Sequence, residues 1–317
     1  MPLSQDQLSL ELKKQAKLQG FNPVGIARIP GSNRINLRTA SLQRWLKAGN
    51  QGDMGWMEAP RRQNIESLLK DVKSVLVVGL NYFIDQTGTA QDKPLVARYA
   101  WGNDYHQVLE KRLGKIGRWL ESEIKDCKWK ICVDSKPLLE KAWAEEAGIG
   151  WIGKNSNLIN ESKGSWIVLG NLLCTVALTP DNPSIPLCGK CDKCIEACPT
   201  AAITEPFVIN SNKCIAYHNI ENRNREIPEN IAKAMGKWVA GCDICQDICP
   251  WNQKKLESSK DPDVQPRDWI LNLTKQQIKE WDEATWKQKL KGSALKRIKP
   301  WMWKRNAKLI NTKDDFD

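Results

Sequence analysis

Eight of the chain's eleven cysteines fall between residues 188 and 249, and their spacing restricts the fold more than any other feature. The first run, Cys188-Gly-Lys-Cys191-Asp-Lys-Cys194-Ile-Glu-Ala-Cys198-Pro199, reads C-x2-C-x2-C-x3-C-P. Three thiolates at this spacing curl around one cubane iron–sulfur cluster, while the fourth, beyond the turn, faces a neighbouring cluster. The second run, Cys242-Asp-Ile-Cys245-Gln-Asp-Ile-Cys249-Pro250, lacks a leading cysteine, and the lone Cys214 is the substitute. Cross-ligation then predicts one set of Cys188, Cys191, Cys194 and Cys249, and a second of Cys198, Cys214, Cys242 and Cys245. A pair of zinc sites is the competing reading, because C-x2-C knuckles also suit zinc. A third cysteine at the same spacing, followed by C-x3-C-P, favours two 4Fe–4S clusters.

A chain of 317 residues is long enough for two domains and a sizeable core. Cysteines gathered at metal-ligand spacing argue for a reducing cytoplasm rather than a disulfide scaffold. The opening Met1-Pro-Leu-Ser-Gln-Asp-Gln has neither the basic patch nor the apolar core of a signal peptide. The longest apolar stretch, Ile167 to Leu178, is broken by Gly170 and Asn171 and is too short to span a bilayer. A soluble, cytoplasmic monomer without membrane contact is expected. Lys+Arg 48 against Asp+Glu 37 gives a formal net charge of +11. Between Lys287 and Lys313 lie ten basic residues and no acidic one, interleaved with Trp301 and Trp303. Such a face suits nucleic acid through phosphate neutralisation and base stacking. A solvated basic helix or loose tail fits the charge equally well.

Apolar periodicity predicts a helix over Leu8–Leu18, stopped by Gly20, a strand near Phe21–Arg28, and a helix over Asn36–Ala48. A glycine-rich loop at Gly52–Met57 precedes a helix over Arg62–Lys70, and Ser74–Phe83 reads as a buried strand. The aromatic loop Arg98–His106 leads into a helix ending near Lys125, and a strand at Trp129–Val133 carries Asp134 at its end. Pro137, in the favoured first-turn position, opens a helix to Ala147, and Ser165–Leu178 reads as two strands around a Gly170-Asn171 turn. The expected organisation is an α/β domain over 1–180, a ferredoxin-like domain over 181–252, and a basic, Trp-rich segment of peripheral helices over 253–317.

Two motifs mislead. Gly148-Ile-Gly150-Trp-Ile-Gly153 matches G-x-G-x-x-G but follows a helix where the dinucleotide fingerprint follows a strand. The near P-loop ends Lys154-Asn155, with no hydroxyl for magnesium. A ligand-lining loop is the better reading, since glycines admit close backbone approach. Asp104-Tyr105-His106 and Asp134 each carry a bland reading as helix caps. As a proton donor, Asp134 would need burial to raise its pKa from about 3.9 towards neutrality. Cys127, Cys132 and Cys174 have no ligand spacing and read as ordinary buried residues.

Taken together, Arg98-Tyr-Ala-x-Gly-x-Asp104-Tyr105-His106, Cys132-Val-Asp134-Ser-x-Pro137, Ala147-Gly-x-Gly-Trp-Ile-Gly-Lys154-Asn155, both cysteine runs and the closing Pro-Trp-Asn252 resemble the epoxyqueuosine reductase family, over about Leu8 to Asn252. The resemblance implies an α/β (α+β) cobalamin-binding domain similar to the nitroreductase-like fold, followed by the two-cluster domain and a short helical C-terminal segment. It implies reduction of epoxyqueuosine to queuosine at the tRNA wobble position, by cob(I)alamin fed through the clusters from an external low-potential electron donor. It assigns Asp134 as proton donor, Tyr105 and His106 to holding substrate, and Asp104 to orienting His106. Cobalamin contacts are expected from Met57, Ala97, Asp134, Asn155, Ser156, Leu158, Leu169 and Ser211. Lys213, Arg223, Arg225 and the Lys287–Lys313 stretch are expected on tRNA phosphates. Two features depart from the family: position 97 is Ala where some relatives carry Cys, and the segment after Asn252 is shorter than in members that continue into helical repeats. Competing readings are a reductase of the reductive dehalogenase kind, a ferredoxin-type electron carrier, and a tRNA-binding protein with structural clusters.

Overall fold

The computed structural model describes residues 3–85 and 93–310. Helix α1 (Gln5–Leu18) starts at a Ser4 capping box, in which Ser4 and Gln7 satisfy each other's backbone N–H groups. Strand β1 (Val24–Arg28) and helix α2 (Asn33–Lys47) follow. The span from Pro60 to Ser67 forms two short 3-10 turns instead of the expected helix over Arg62–Lys70. The Asn64 side chain accepts from Glu66 N–H, and the buried Arg62 guanidinium turns inward onto the carbonyls of Trp56 and Leu138. Strand β2 (Ser74–Asn81) is buried along nearly its whole length, and the two-residue β3 (Leu95–Val96) comes next. Helix α3 (Tyr105–Glu123), strand β4 (Trp129–Cys132), helix α4 (Glu140–Glu146), the short hairpin β5 (Trp151–Ile152) with β6 (Leu158–Ile159), and strand β7 (Ile167–Cys174) complete the first unit.

The main sheet has the order β1-β2-β7-β4, with every neighbouring pair antiparallel. Alternation along β2 sorts its side chains between two interiors. Leu76, Val78 and Leu80 join Ile26, Leu172 and the apolar faces of α1 and α3. Val75 and Val77 join Ala27, Leu173 and α4, which is backed by α2. The sheet is therefore the middle layer of three.

Two expectations fail here. Gly170-Asn171 is no turn, because β7 runs straight through it in register with β2 and β4. A Cβ at Gly170 would meet Leu109 and Leu113 of α3 at 2.9 Å each, so this glycine serves helix-on-sheet approach. Helix α4 starts at Glu140 rather than Pro137; Val133–Leu139 is a turn that buries Leu138.

The cysteine-rich part holds α5 (Lys193–Glu196), the β8 (Ile203–Glu205) and β9 (Val208–Ile209) hairpin, α6 (Glu229–Ala234), β10 (Trp238–Ala240) and α7 (Ile244–Asp247). Strand β10 pairs in parallel with β3, which stitches this part to the first. The C-terminal helices are α8 (Asp268–Leu271), α9 (Lys275–Glu280), α10 (Glu283–Lys289) and α11 (Pro300–Leu309). They are not peripheral. Trp281, Trp286, Met302 and Trp303 share one buried cluster with Val96, Ala97, Trp101, Ile215 and Val239. Among the described residues, no helix is long and apolar enough to cross a membrane.

Candidate active site

Asp104 caps α3, its carboxylate accepting the His106 backbone N–H at 3.1 Å. The same oxygen bonds the His106 ring at Nδ1, 2.7 Å away, and His106 Nε2 lies 2.9 Å from Asp134 Oδ2. Tyr105 stacks on the His106 ring at 4.1 Å, and its hydroxyl also reaches the Asp134 carboxyl. The sequence-predicted quartet therefore meets, although 28 residues separate His106 from Asp134. Asp134 adopts φ +42, a left-handed conformation that strains a non-glycine residue. Its side chain keeps 53 % exposure at the mouth of the site.

The protonation pattern differs from expectation. Burial works to raise the Asp134 pKa, but the hydrogen bond and charge of His106, the Tyr105 hydroxyl and Lys141 outweigh it and hold the carboxyl below its ordinary value. Asp104 is lowered likewise, burial again being outweighed by His106. Burial opposes the His106 charge, yet the bonds to Asp104 and Asp134 lift its pKa to about 9. At neutral pH the proton beside Asp134 thus resides on the imidazolium. Burial, and then the Asp134 charge, push Glu140 up to about 8.

Sequence reasoning missed Glu140, Asn171 and Lys141. Glu140 accepts the Asp134 backbone N–H at 2.9 Å, and Asn171 donates to the same Glu140 oxygen at 3.2 Å. Lys141 donates to the Ser156 carbonyl at 2.7 Å, and Ser156 Oγ to the Phe207 carbonyl at 2.8 Å. No spacing rule marks such single polar contacts. A groove of about 400 Å³ runs past Asp104, flanked by Lys111 and Lys115 of α3, and was likewise not foreseen.

Cys188, Cys191, Cys194 and Cys249 rim one cavity of about 130 Å³. Burial first, then Cys249, Cys188 and Cys191, push the Cys194 thiol up to about 11. Burial, then Cys214, Asp243 and Cys198, push Cys242 up to about 12, and Cys245 is raised by burial, Cys242 and Cys214. Crowded thiols of this kind lose their protons to a metal. Among the described residues, no three His, Cys, Asp or Glu side chains converge where a single metal ion would sit. The donor chemistry fits two four-thiolate clusters. Asn155 joins this part to the first unit, donating to the Cys245 carbonyl at 3.2 Å.

Of the residues expected around cobalamin, Met57, Ser156 and Leu169 are partly exposed along with Asp134. Ala97, Asn155, Leu158 and Ser211 are buried. The side chain of Gln51 donates through Nε2 to Glu58, and its Oε1 is buried without a hydrogen-bond partner, an acceptor that the amide fringe of a corrin would satisfy. The loops fit the cofactor.

The basic residues divide. Lys213 is exposed, and Arg225 lies over the Trp301 ring at 4.4 Å in a groove of about 520 Å³ that also presents Lys304 and Lys308. Arg223 bonds the Arg297 carbonyl and Met302. Arg305 is buried, its guanidinium committed to the carbonyls of His218, Asn222 and Asn224, while Arg297 pairs with Glu221 and Lys287 with Glu283. Arg305 is a structural cation, whereas Arg297 and Lys287 remain exposed in surface ion pairs. Lys313 lies outside the described residues.

A three-layer α/β unit with an imidazolium between two carboxylates, built onto eight thiols in two sets, defines an iron–sulfur oxidoreductase. The family model described as "Epoxyqueuosine reductase QueG, DUF1730" matches residues 62–135, and "4Fe-4S double cluster binding domain" matches 187–252. Epoxyqueuosine reductases of Prochlorococcus marinus (strain NATL2A) and Synechocystis sp. are 59% and 48% identical, the first covering 96% of this chain and 98% of its own, the second 90% and 98%. An epoxyqueuosine reductase crystal structure with a modified tRNA-Tyr stem loop superposes with a TM-score of 0.86 at 27% identity, covering 96% of this chain and 80% of the other. The Bacillus subtilis enzyme, captured with its catalytic loop swung out of the active site, superposes at 0.84, also at 27% identity and with the same coverage of both chains. The chain belongs to the epoxyqueuosine reductase family.

Proposed function

We propose that this chain reduces the epoxide of epoxyqueuosine to queuosine at the wobble position of tRNA, as a soluble cytoplasmic enzyme. Two electrons and two protons enter, two C–O bonds break, a C=C bond forms and one water leaves. The observation that carries the reading is the charged His106 held 2.9 Å from Asp134 in a unit joined to two four-thiol sets. Cobalamin, when bound, supplies the low-potential chemistry at carbon that side chains lack. Cys188, Cys191, Cys194 and Cys249 would hold one 4Fe–4S cluster, and Cys198, Cys214, Cys242 and Cys245 the other. Their electrons come from an external low-potential donor, since no side chain here is an electron source.

The protein's own part is proton handling and positioning. Asp134 relays the His106 imidazolium proton to the opening epoxide oxygen, leaving the imidazole neutral, so its resting carboxylate works with a lowered pKa. Asp104 fixes the ring through Nδ1, and Tyr105 packs on its face. A wobble base lies in a single-stranded loop and is splayed into a pocket at low cost compared with a paired base. The Lys111–Lys115 flank beside Asp104, Lys213, Arg223, Arg225 and the exposed lysines near the C-terminus support approach of an anionic loop.

The test uses anaerobically reconstituted protein, cobalamin, a strong reductant and epoxyqueuosine-containing tRNA, with mass spectrometry of the digested nucleosides. Queuosine that appears only with cobalamin supports the reading. No conversion by protein with both clusters and cobalamin bound would assign it a different substrate, and failure to bind cobalamin would leave an electron carrier.

A further inference from the structure

The Asp134 turn is strained, and besides the Tyr105 hydroxyl it is held at both its side chain and its backbone. His106 holds the carboxylate, and the backbone N–H is bonded to Glu140, the first residue of α4. Glu140 is in turn gripped by Asn171, a fully buried residue of the central strand β7 that also donates to the Cys132 carbonyl at 3.3 Å. Asn171 sits directly opposite Cys132, the last residue of β4 before the turn, so its side chain ties the middle layer to the turn a second time. We propose that Glu140, clasped by Asn171, is the positioning residue that keeps the Asp134 turn closed on His106.

The clasp works with Glu140 as a neutral acid. Asn171 Oδ1 is buried with no partner, while its Nδ2 donates to Glu140. An acid proton on Glu140 gives that orphaned oxygen its donor and completes a two-bond acid–amide pair. The groups facing Glu140 are Asp134 on the turn, Lys141 on its own helix, His106 and Tyr105 on α3, Arg62 on the 3-10 turn, and the Cys132 thiol. Burial and the Asp134 charge dominate this company, and the proton is retained up to about pH 8. Above that, a second carboxylate faces Asp134, repels it and loosens the turn.

This inference rests on the proposed reduction, with one readout that does not. Glu140→Gln keeps the carbonyl for Asp134 N–H, supplies an N–H to Asn171 and has no proton to lose; Glu140→Ala removes both contacts. With holoenzyme, Glu140→Gln is expected to keep kcat within about twofold of wild type, and Glu140→Ala to lose on the order of 10- to 100-fold, with the Kd for tRNA unchanged in both. The alkaline fall of wild-type kcat at about 8 should move in Glu140→Gln towards the His106 value of about 9. Hydrogen exchange over residues 132–139 should be fast in Glu140→Ala and as slow as wild type in Glu140→Gln. Wild-type kcat and exchange in Glu140→Ala overturn the clasp, and an unshifted alkaline limb in Glu140→Gln overturns the neutral acid. If the wild type makes no queuosine, the substrate reading fails while the exchange comparison still decides the clasp.

Discussion

His106 is the residue on which the chemistry turns, because it is a cation with a carboxylate on each ring nitrogen. Desolvation alone would discharge it; Asp104 at 2.7 Å and Asp134 at 2.9 Å prevent that. Replacing Asp134 by Asn removes the group that hands the proton on. Turnover should fall by roughly 10²- to 10⁴-fold, the usual worth of a positioned acid. Wild-type turnover by that variant would remove Asp134 from the proton path. The triad also leaves a signature in stability. His106 has a raised pKa in the fold, so its contribution is fully present below about 6.5 and is lost as pH rises through about 9. Asp104 and Asp134 are lowered, so theirs is present above the ordinary carboxylate range and lost on acidification. Denaturant midpoints at about pH 6.5 and above pH 9 should therefore differ more for wild type than for His106→Ala; equal differences would place the ring's proton elsewhere.

Strand β7 shows how an element hides its reason in sequence. Gly170-Asn171 carries the composition of a turn, yet Gly170 is there so that Leu109 and Leu113 of α3 can approach the sheet. Gly170→Ala should cost about 1–3 kcal/mol by overpacking, read from the denaturant midpoint, with the cysteine-rich part unaffected. No loss would mean that α3 moves aside freely. Turn chemistry and close approach use the same residue, and only the third dimension separates them. The same holds for Pro137, which suits a first helical turn but lies in a loop that buries Leu138 before α4 begins. The cysteine runs were legible because their spacing is local, a few residues between ligands, whereas the pairing of Cys249 with the first run rests on the motif and not on nearness in sequence. Asp134 with His106 was legible through family resemblance, since no periodicity links positions 28 apart. Glu140 and Asn171 were not legible at all, being lone polar residues whose role exists only where β4, β7 and α4 meet. The expectation of Trp303 on a basic face with Trp301 misses its burial for a similar reason: Trp303 meets Trp281 only after the chain folds back.

At the scale of the whole molecule, the parts share an interior. Strand β3 pairs with β10, and Arg98 donates from the first unit to Asp243 and Asp247 beside the second cysteine run. Asn306 of α11 bonds the carbonyls of Asn219 and Val239. This common core fixes the carbonyl-bound Arg305 inside, while at the surface Arg297 and Lys287 pair with acidic partners. The net charge of +11 already sets Glu221 and Glu283 against Arg297 and Lys287, so where the unpaired cations face solvent matters more than the sum. Lys304 and Lys308 stand on one face of α11, beside Trp301 and Arg225. Each phosphate they neutralise releases counterions, so each should steepen the dependence of tRNA affinity on salt. Removing both, as Lys304→Ala with Lys308→Ala, is expected to weaken binding at low salt and to flatten the slope of log K against log salt by about 2, one per lysine. Lys287→Ala, whose charge Glu283 already answers at 2.8 Å, should leave that slope where it was. If the double variant keeps the wild-type slope, this groove is a solvated basic face, and the anticodon loop is held by the lysines beside Asp104 instead.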